Sequence, residues 1–451
     1  MCTFVIVSEK IPFKEINRLA IPAIFAGIAE PLIGIVDTGI VGHFETNSAV
    51  SQSAVGLGSS FYSIILWSLL QIRTSISAIV SQYVGKNKLQ VIHTLIPQTL
   101  LFGVLLGLVF GGLGYYYAAG IFRNFYGVDA YKVELLDQTV AYFRIRAVGL
   151  PISMIVFICF GIFRGFQNTM WIMKASLVGA LFNVVLDYTL VYGIGSFKPD
   201  MGIEGIAWAS VIAQVCMMTV AIFFLKRKTP FPVLPSFKLN PVFGKMIAMS
   251  GNMILRSLAL NFVFYLANNY AEDYGKDYLA AHTIILQFWV FSFFFIDGYS
   301  NAGNALAGKL YGGNDLKRMK LLIRDLVKVN LLVAGILAGM FLIGYPFLGE
   351  VFSNKALVAQ HFNEGFWVII VAQFINSITF TYDGIFKGLG ETAYLRNTLF
   401  IASFGIFWPA LIFFDYLEFK ILAIWFSFIL WNSFRGATLI YKYRRVYNVE
   451  L

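Results

Sequence analysis

A chain of 451 residues with 58% hydrophobic and only 13% charged side chains lies outside the range of ordinary globular domains, whose shares are nearer ~45–50% and ~25%. Together with a mean hydropathy of +0.73, this composition excludes a soluble domain and points to an all-α polytopic membrane protein. The formal charge of +10 is carried by short basic clusters between apolar runs, as membrane topology requires, and nucleic acid is discounted as a partner.

Residues 1–15 carry Glu9, Lys10, Lys14 and Glu15 and no small-residue cleavage site, so the first helix is expected to be retained. Cys2, Cys159 and Cys216 are scattered and suggest neither a disulfide framework nor a thiolate metal site. Apolar runs at 16–43, 53–83, 93–119, 135–163, 172–194 and 203–225, then 243–271, 279–309, 321–346, 357–386, 396–414 and 420–441 predict about twelve transmembrane helices. Clusters such as Lys226–Arg227–Lys228, Lys317–Arg318–Lys320 and Arg444–Arg445 fall on one side of these runs, while Arg123, Lys132, Lys198, Lys276, Lys355 and Lys420 are the scattered basic residues of the other. The positive-inside rule then places both termini in the cytoplasm of a multi-pass protein of the cell membrane, plasma or bacterial inner.

In the first run, PLIGIVDTGIVG sets Asp37 inside apolar sequence, where a charge costs at least about 2.5–3.5 kcal/mol and is kept for a cavity, a partner or a pathway. Helix packing by a hydrogen-bonded Asp is the competing reading. Pro22 and Pro31 make this helix the one expected to bend. Glu30, seven residues before Asp37 and nearly on the same face, is an accessory protonatable candidate, and Arg73 in the second run a counter-ion or gate. In the fifth run, GALFNVVLDYTLVYGIG places Asn183 and Asp187 on one helical face. Ser210 in the sixth lies at similar depth, roughly 9 Å below the outer boundary. Four oxygen-bearing side chains thus converge. Two carboxylates in a poor dielectric tend to share a proton, and hard oxygen ligands can instead strip water from a small cation. A proton is the preferred coupling ion, with Na+ held by Asp37, Asn183 and Asp187 as the alternative, and no cofactor is expected.

The basic, proline-rich stretch 226–245 divides the chain into halves 1–225 and 246–451, each read as a six-helix lobe. The halves repeat: GIFRGFQNT (Gly161–Thr169) returns as GIFKGLGET (Gly384–Thr392), about 223 residues on. SAIVSQYVGKN (Ser77–Asn87) returns more weakly as NALAGKLYGGN (Asn304–Asn314), about 227 on. An even-numbered repeat implies two parallel lobes related by an axis along the membrane normal. The positions equivalent to Asp37, Asn183 and Asp187 are the apolar Phe264, Ile406 and Ala410, so acid chemistry is confined to the first half. In the second, Arg256 is expected to pair with Asp297 or Asp383. His43, His93, His282 and His361 fall mostly at predicted helix ends without metal spacing and read as interfacial, and no Walker loop occurs. An enzyme is therefore not expected. An ion gradient, worth about 2.3 kcal/mol per charge per 100 mV, suits buried acids. Phe264, Phe288, Trp289, Phe291 and Phe294 are candidate cleft residues, and aromatic faces suit cationic amphipathic compounds.

These strings together, PLIGIVDTGIVGHF, LQIRTSISAIVSQYVG, FRGFQNT with FNVVLDYTLVYG, IDGYSNAGNALAGKLYGG and YDGIFKGLGETAYLRN, resemble the multidrug and toxic compound extrusion (MATE) family, in its DinF-type branch, over nearly all twelve helices. The resemblance implies a V-shaped, two-lobe antiporter, here expected to act as a monomer among membrane lipids, that exports small organic compounds in exchange for protons or sodium ions. It also implies that Asp37, Asn183 and Asp187 match the family's first-lobe cation site. Ser210 stands where related sequences often carry Thr, and the seventh-helix acid of another branch is missing from NMILRSLALNFVFYLANN. The alternative is a lipid or lipid-linked precursor flippase, which predicts a basic cleft; few intramembrane basic residues are apparent for it.

Overall fold

The computed structural model describes residues 13–42, 48–125, 133–193, 199–234, 239–353 and 355–447, and among them every regular element is helical. In chain order these are α1 (Phe13–Gly42), α2 (Ser48–Leu69), α3 (Gln71–Gly85), α4 (Leu95–Phe125), α5 (Val133–Val148), α6 (Leu150–Gly165), α7 (Met170–Tyr192) and α8 (Gly202–Lys228). The second half follows with α9 (Phe243–Asp273), α10 (Lys276–Gly312), α11 (Leu316–Phe352), α12 (Ala356–Leu389), α13 (Thr392–Phe400), α14 (Trp408–Tyr416) and α15 (Ile421–Val446).

Several expected spans are made of two pieces. α2 and α3 meet at Leu70, a π segment at Ile401–Phe407 joins α13 to α14, and α5 and α6 bend by 46°. The bend falls at Gly149 and Pro151, where one residue adds freedom and the other cannot donate to the preceding turn. Joining the pieces returns about twelve crossings. Among the described residues nine helical stretches, the joined α2–α3 and α13–α14 among them, are long and apolar enough to cross a membrane, ten with the bent pair. α1 is continuous through Pro22 and Pro31; the side chain of Pro22 is buried, whereas those of Glu30 and Pro31 lie outside the described set.

The repeated strings turn out to be packing partners. In the first half, a Cβ added to Gly161 or Gly165 of α6 would meet the backbone of Arg73 or Ser77 in α3. In the second, a Cβ on Gly384 or Gly388 of α12 would meet that of Ser300 or Asn304 in α10. The two contacts coincide under the offsets of about 223 and 227, so each GIF(R/K)G string lets one helix pair approach through small residues. Turn geometry repeats as well. Asn87 and Asn314, equivalent positions, both take left-handed backbone with φ of 54° and 57°, and Gln167 (60°) is matched by Gly390 (80°).

Between the halves α3 and α10 cross each other through equivalent residues. Ser77 Oγ donates to Asn304 Oδ1 at 3.1 Å, Gly308 abuts Ser81, and the reciprocal contacts Gly85 with Lys309 and Gly312 with Gln82 complete the crossing. A surface in which residue i meets j and j meets i is the signature of a two-fold relation, and both helices run the same way through it. Gln82 Nε2 donates to the Gly388 carbonyl (2.9 Å) and Lys309 Nζ to Gln167 Oε1 (3.1 Å) at the same end. α1 packs on α7 and on α10, and its Ile16, Leu19 and Ala20 join an apolar core otherwise built from residues of the second half.

Candidate functional site

α1, α7 and α8 bring the four sequence-predicted oxygens together. Asp37, Asn183, Asp187 and Ser210 are all buried, none more than 6% exposed. The carboxyl groups of Asp37 and Asp187 face each other within hydrogen-bonding reach, and Asn183 Nδ2 donates to Ser210 Oγ at 3.4 Å. The one-turn spacing of Asn183 and Asp187 on α7 is what aims both at α1 and α8. Near the same end, Tyr192 Oη of α7 donates to the Ile40 carbonyl of α1 at 3.0 Å.

As ionised groups, Asp37 Oδ1 and both oxygens of Asp187 accept no hydrogen bond from the described residues, and neither does Asn183 Oδ1. Buried acceptors left without a donor are costly, and a pair of like charges in low dielectric more so. Two occupants resolve this. A proton between the carboxyls turns one into a donor for the other, and a small cation would be met by hard oxygen atoms only, the donor set it prefers.

The sequence reading missed the cation that faces these acids. Arg146 of α5 acts electrostatically on both Asp37 and Asp187, and its guanidinium lies 4.4 Å from the centre of the Tyr62 ring. Behind it, Tyr62 Oη meets Ser153 Oγ (3.3 Å) and receives Gln214 Nε2 (3.2 Å), while Tyr142 Oη meets Ser59 Oγ (2.9 Å). A Cβ on Gly58 would lie 2.6 Å from the Tyr142 ring. The signal available in sequence was the basic pair in AYFRIRAVG, adjacent to the bend that draws α5 over the site. Arg73, by contrast, lies against Phe157 of α6 at 6.0 Å.

In the second half Arg256 Nη2 pairs with Asp383 Oδ1 at 2.6 Å, as one of the two expected pairings has it. Asp297 instead accepts from Asn301. Buried basic residues are more numerous than the sequence suggested: Arg164 and Arg435 are 4% and 3% exposed. Other expectations are corrected. Trp289 lies in the apolar core of the second half against Phe264 and Phe428, and the partly buried Phe288 packs on that core against Phe341 and Phe366, because helices apolar all round give no face to sequence inspection. His282, near the start of α10, is fully buried beside Trp425. His43 lies outside the described residues.

The MatE family model matches residues 22–189 and 253–412, more than half of the chain. The chain is 24% identical over 440 residues to DNA damage-inducible protein F of Escherichia coli K12, with 96% of this chain and 92% of that protein covered. It is 25% identical over 401 residues to Protein DETOXIFICATION 44, chloroplastic, of Arabidopsis thaliana, covering 86% and 74%. Its fold matches a solved structure described as the outward-facing conformation of a multidrug resistance MATE family transporter of the MOP superfamily, with a TM-score of 0.85, 18% identity and 96% and 95% coverage.

Proposed function

This chain belongs to the MatE family of multi-pass membrane transporters, which are not enzymes, and from that premise we propose that it is a secondary active antiporter exporting amphipathic organic compounds. Export is coupled to inward flow of H+, or of Na+ as the alternative, through Asp37, Asn183, Asp187 and Ser210. The observation that carries this reading is the set of four buried acceptor oxygens on Asp37, Asp187 and Asn183 that accept no hydrogen bond from the described residues, an all-acceptor set that one positive charge satisfies. Residues 1–225 and 246–451 act as two lobes, and both termini face the cytoplasm.

Because α1 packs on α7, which carries the acids, and on α10 of the other half, loading the site has a mechanical route out of it. Occupancy relieves the repulsion between the two carboxyls that α1 and α7 hold against each other. A change in α1 around Pro22 and Pro31 then alters its seat on α10, and the substrate path opens to the other side. The test is transport in proteoliposomes under separately imposed proton and sodium gradients. Asp37→Asn, which keeps the size and removes the charge, is expected to abolish ion-coupled efflux while the protein remains folded in the membrane. Undiminished coupled transport by that variant overturns the assignment.

A further inference from the structure

Asp383 of α12 is surrounded by three cations. Its Oδ1 accepts Arg256 of α9 at 2.6 Å and lies 3.7 Å from Arg435 of α15, and its Oδ2 lies 2.7 Å from Lys387, one turn further along α12. The nearest acid in the chain beyond Lys387, Glu391, is engaged by Lys442 and Tyr447, and Asp297 by Asn301. Among the described residues one carboxylate therefore answers three positive charges, and the cluster holds a surplus of two in a place where charges are desolvated.

A surplus of this kind is costly, because burial of an ion is offset only by an opposite charge and full hydrogen bonding. The cations are also oriented in advance. Arg435 is stacked 4.5 Å from the Trp431 ring centre and 5.8 Å from that of Phe380, and its Nη1 donates to Asn432 Oδ1 at 2.8 Å. Arg256 keeps a buried Nε without an acceptor. Access is from the side of Arg256 and Lys387, whose side chains retain 12% and 14% exposure against 4% for Asp383 and Arg435. Planar forks held rigid match carboxylate geometry.

We propose that Arg256, Lys387 and Arg435 form an anion subsite in the second half that takes the carboxylate of an amphipathic organic acid. The proposal rests on the exporter reading above, whose substrate class it names. Asp383 holds the cations in place between turnovers, and the incoming carboxylate supplies part of the missing negative charge. The position equivalent to Lys387 in the first half is Arg164, but the position equivalent to Asp383 is Phe160, so the first half has no such nest.

The test is equilibrium binding to the purified full chain in nanodiscs of zwitterionic lipid, read by fluorescence with 1-pyrenebutyrate and with a pyrenebutyl-trimethylammonium of the same size. The acid is expected to bind at least about tenfold more tightly than the ammonium, and Lys387→Gln and Arg256→Gln each to weaken the acid about tenfold, as loss of one charge-assisted bond would, with the ammonium unaffected. Asp383→Asn is expected to tighten the acid, a gain that a merely structural ion network would not give. Equal affinity for the two probes, or loss of both in Lys387→Gln, overturns the proposal. So does displacement of pyrenebutyrate by phosphatidylglycerol added to the discs, which assigns the anion to a lipid headgroup. Binding needs no ion gradient, so its failure leaves the Asp37 test untouched, and the failure of Asp37→Asn leaves this one standing.

Discussion

At the scale of single residues the decisive contrast is between the hydroxyl of Ser210 and the carboxyls beside it. Ser210 Oγ receives only a long bond from Asn183 (3.4 Å), so a proton shared by Asp37 and Asp187 has no need of it, whereas a bound cation would lose a ligand. Ser210→Ala is accordingly expected to leave proton-driven transport within about twofold of wild type, the effect of one weak hydrogen bond. A Na+-activation curve shifted strongly by the same variant identifies sodium as the coupling ion. A second residue-level expectation concerns pH. Burial alone would raise the Glu391 carboxyl, but Lys442 Nζ at 2.8 Å and Tyr447 Oη at 2.7 Å donate to it and hold it below its ordinary value. A carboxyl depressed in the fold stabilises above the unfolded value, about 4.3, and its contribution disappears as the pH falls through the depressed one. Thermal unfolding followed from pH 7 to pH 3 should show an acid-side loss that Glu391→Gln flattens. The pair is partly exposed, 21% for Lys442 and 32% for Glu391, so solvent screening holds its worth to about 0.5 kcal/mol.

Among elements, the crossing of α3 and α10 is the feature most dependent on small side chains. Gly85 and Gly312 sit where an added Cβ would strike the backbone at Lys309 and Gln82, and backbone cannot yield as a flexible side chain can. Alanine at either position should cost about 1–3 kcal/mol of closure at this end, enough to redistribute two states of similar energy. Spin labels on Lys86→Cys and Lys317→Cys should report a single short distance in the parent and a longer, populated second distance in the Gly85→Ala, Gly312→Ala pair. An unchanged distribution would show that this contact does not gate. The seam also explains why Gln167 tolerates a left-handed backbone where its equivalent is Gly390. Its amide accepts from Lys309 and donates to the Ala305 carbonyl at 3.4 Å, bonds that glycine could not make, and these offset a strain of about 1 kcal/mol.

For the whole molecule, a duplicated scaffold buries two neighbouring carboxyls, Asp37 and Asp187, in its first half and a cluster of three cations about Asp383 in its second. Much of this was legible: a carboxylate in an apolar run stands out, as at Asp37 and Asp187, and the glycine strings repeat because both halves need the same close packing. Arg146 and Arg435 were not, since whether an arginine near the end of an apolar run is drawn toward the acids, as Arg146 is, or fully buried, as Arg435 is, depends on the bend at Gly149 and on the neighbours supplied by α12, which no local pattern encodes. Nor were the aromatic cores, for want of a polar face. The direction in which the asymmetric scaffold stands in the bilayer decides from which side an ion gradient can drive it, and loop charge is the basis on which that direction is proposed. Leu234, in the basic linker, and Tyr416, at the far end of α14, are 81% and 84% exposed and lie on opposite sides under the inferred topology. In a background without the native cysteines, Tyr416→Cys should react with a membrane-impermeant maleimide on intact cells, and Leu234→Cys only after the membrane is broken. The reverse pattern would turn the acid site toward the cytoplasmic boundary, and inward ion flow would then have to load it from the wrong side.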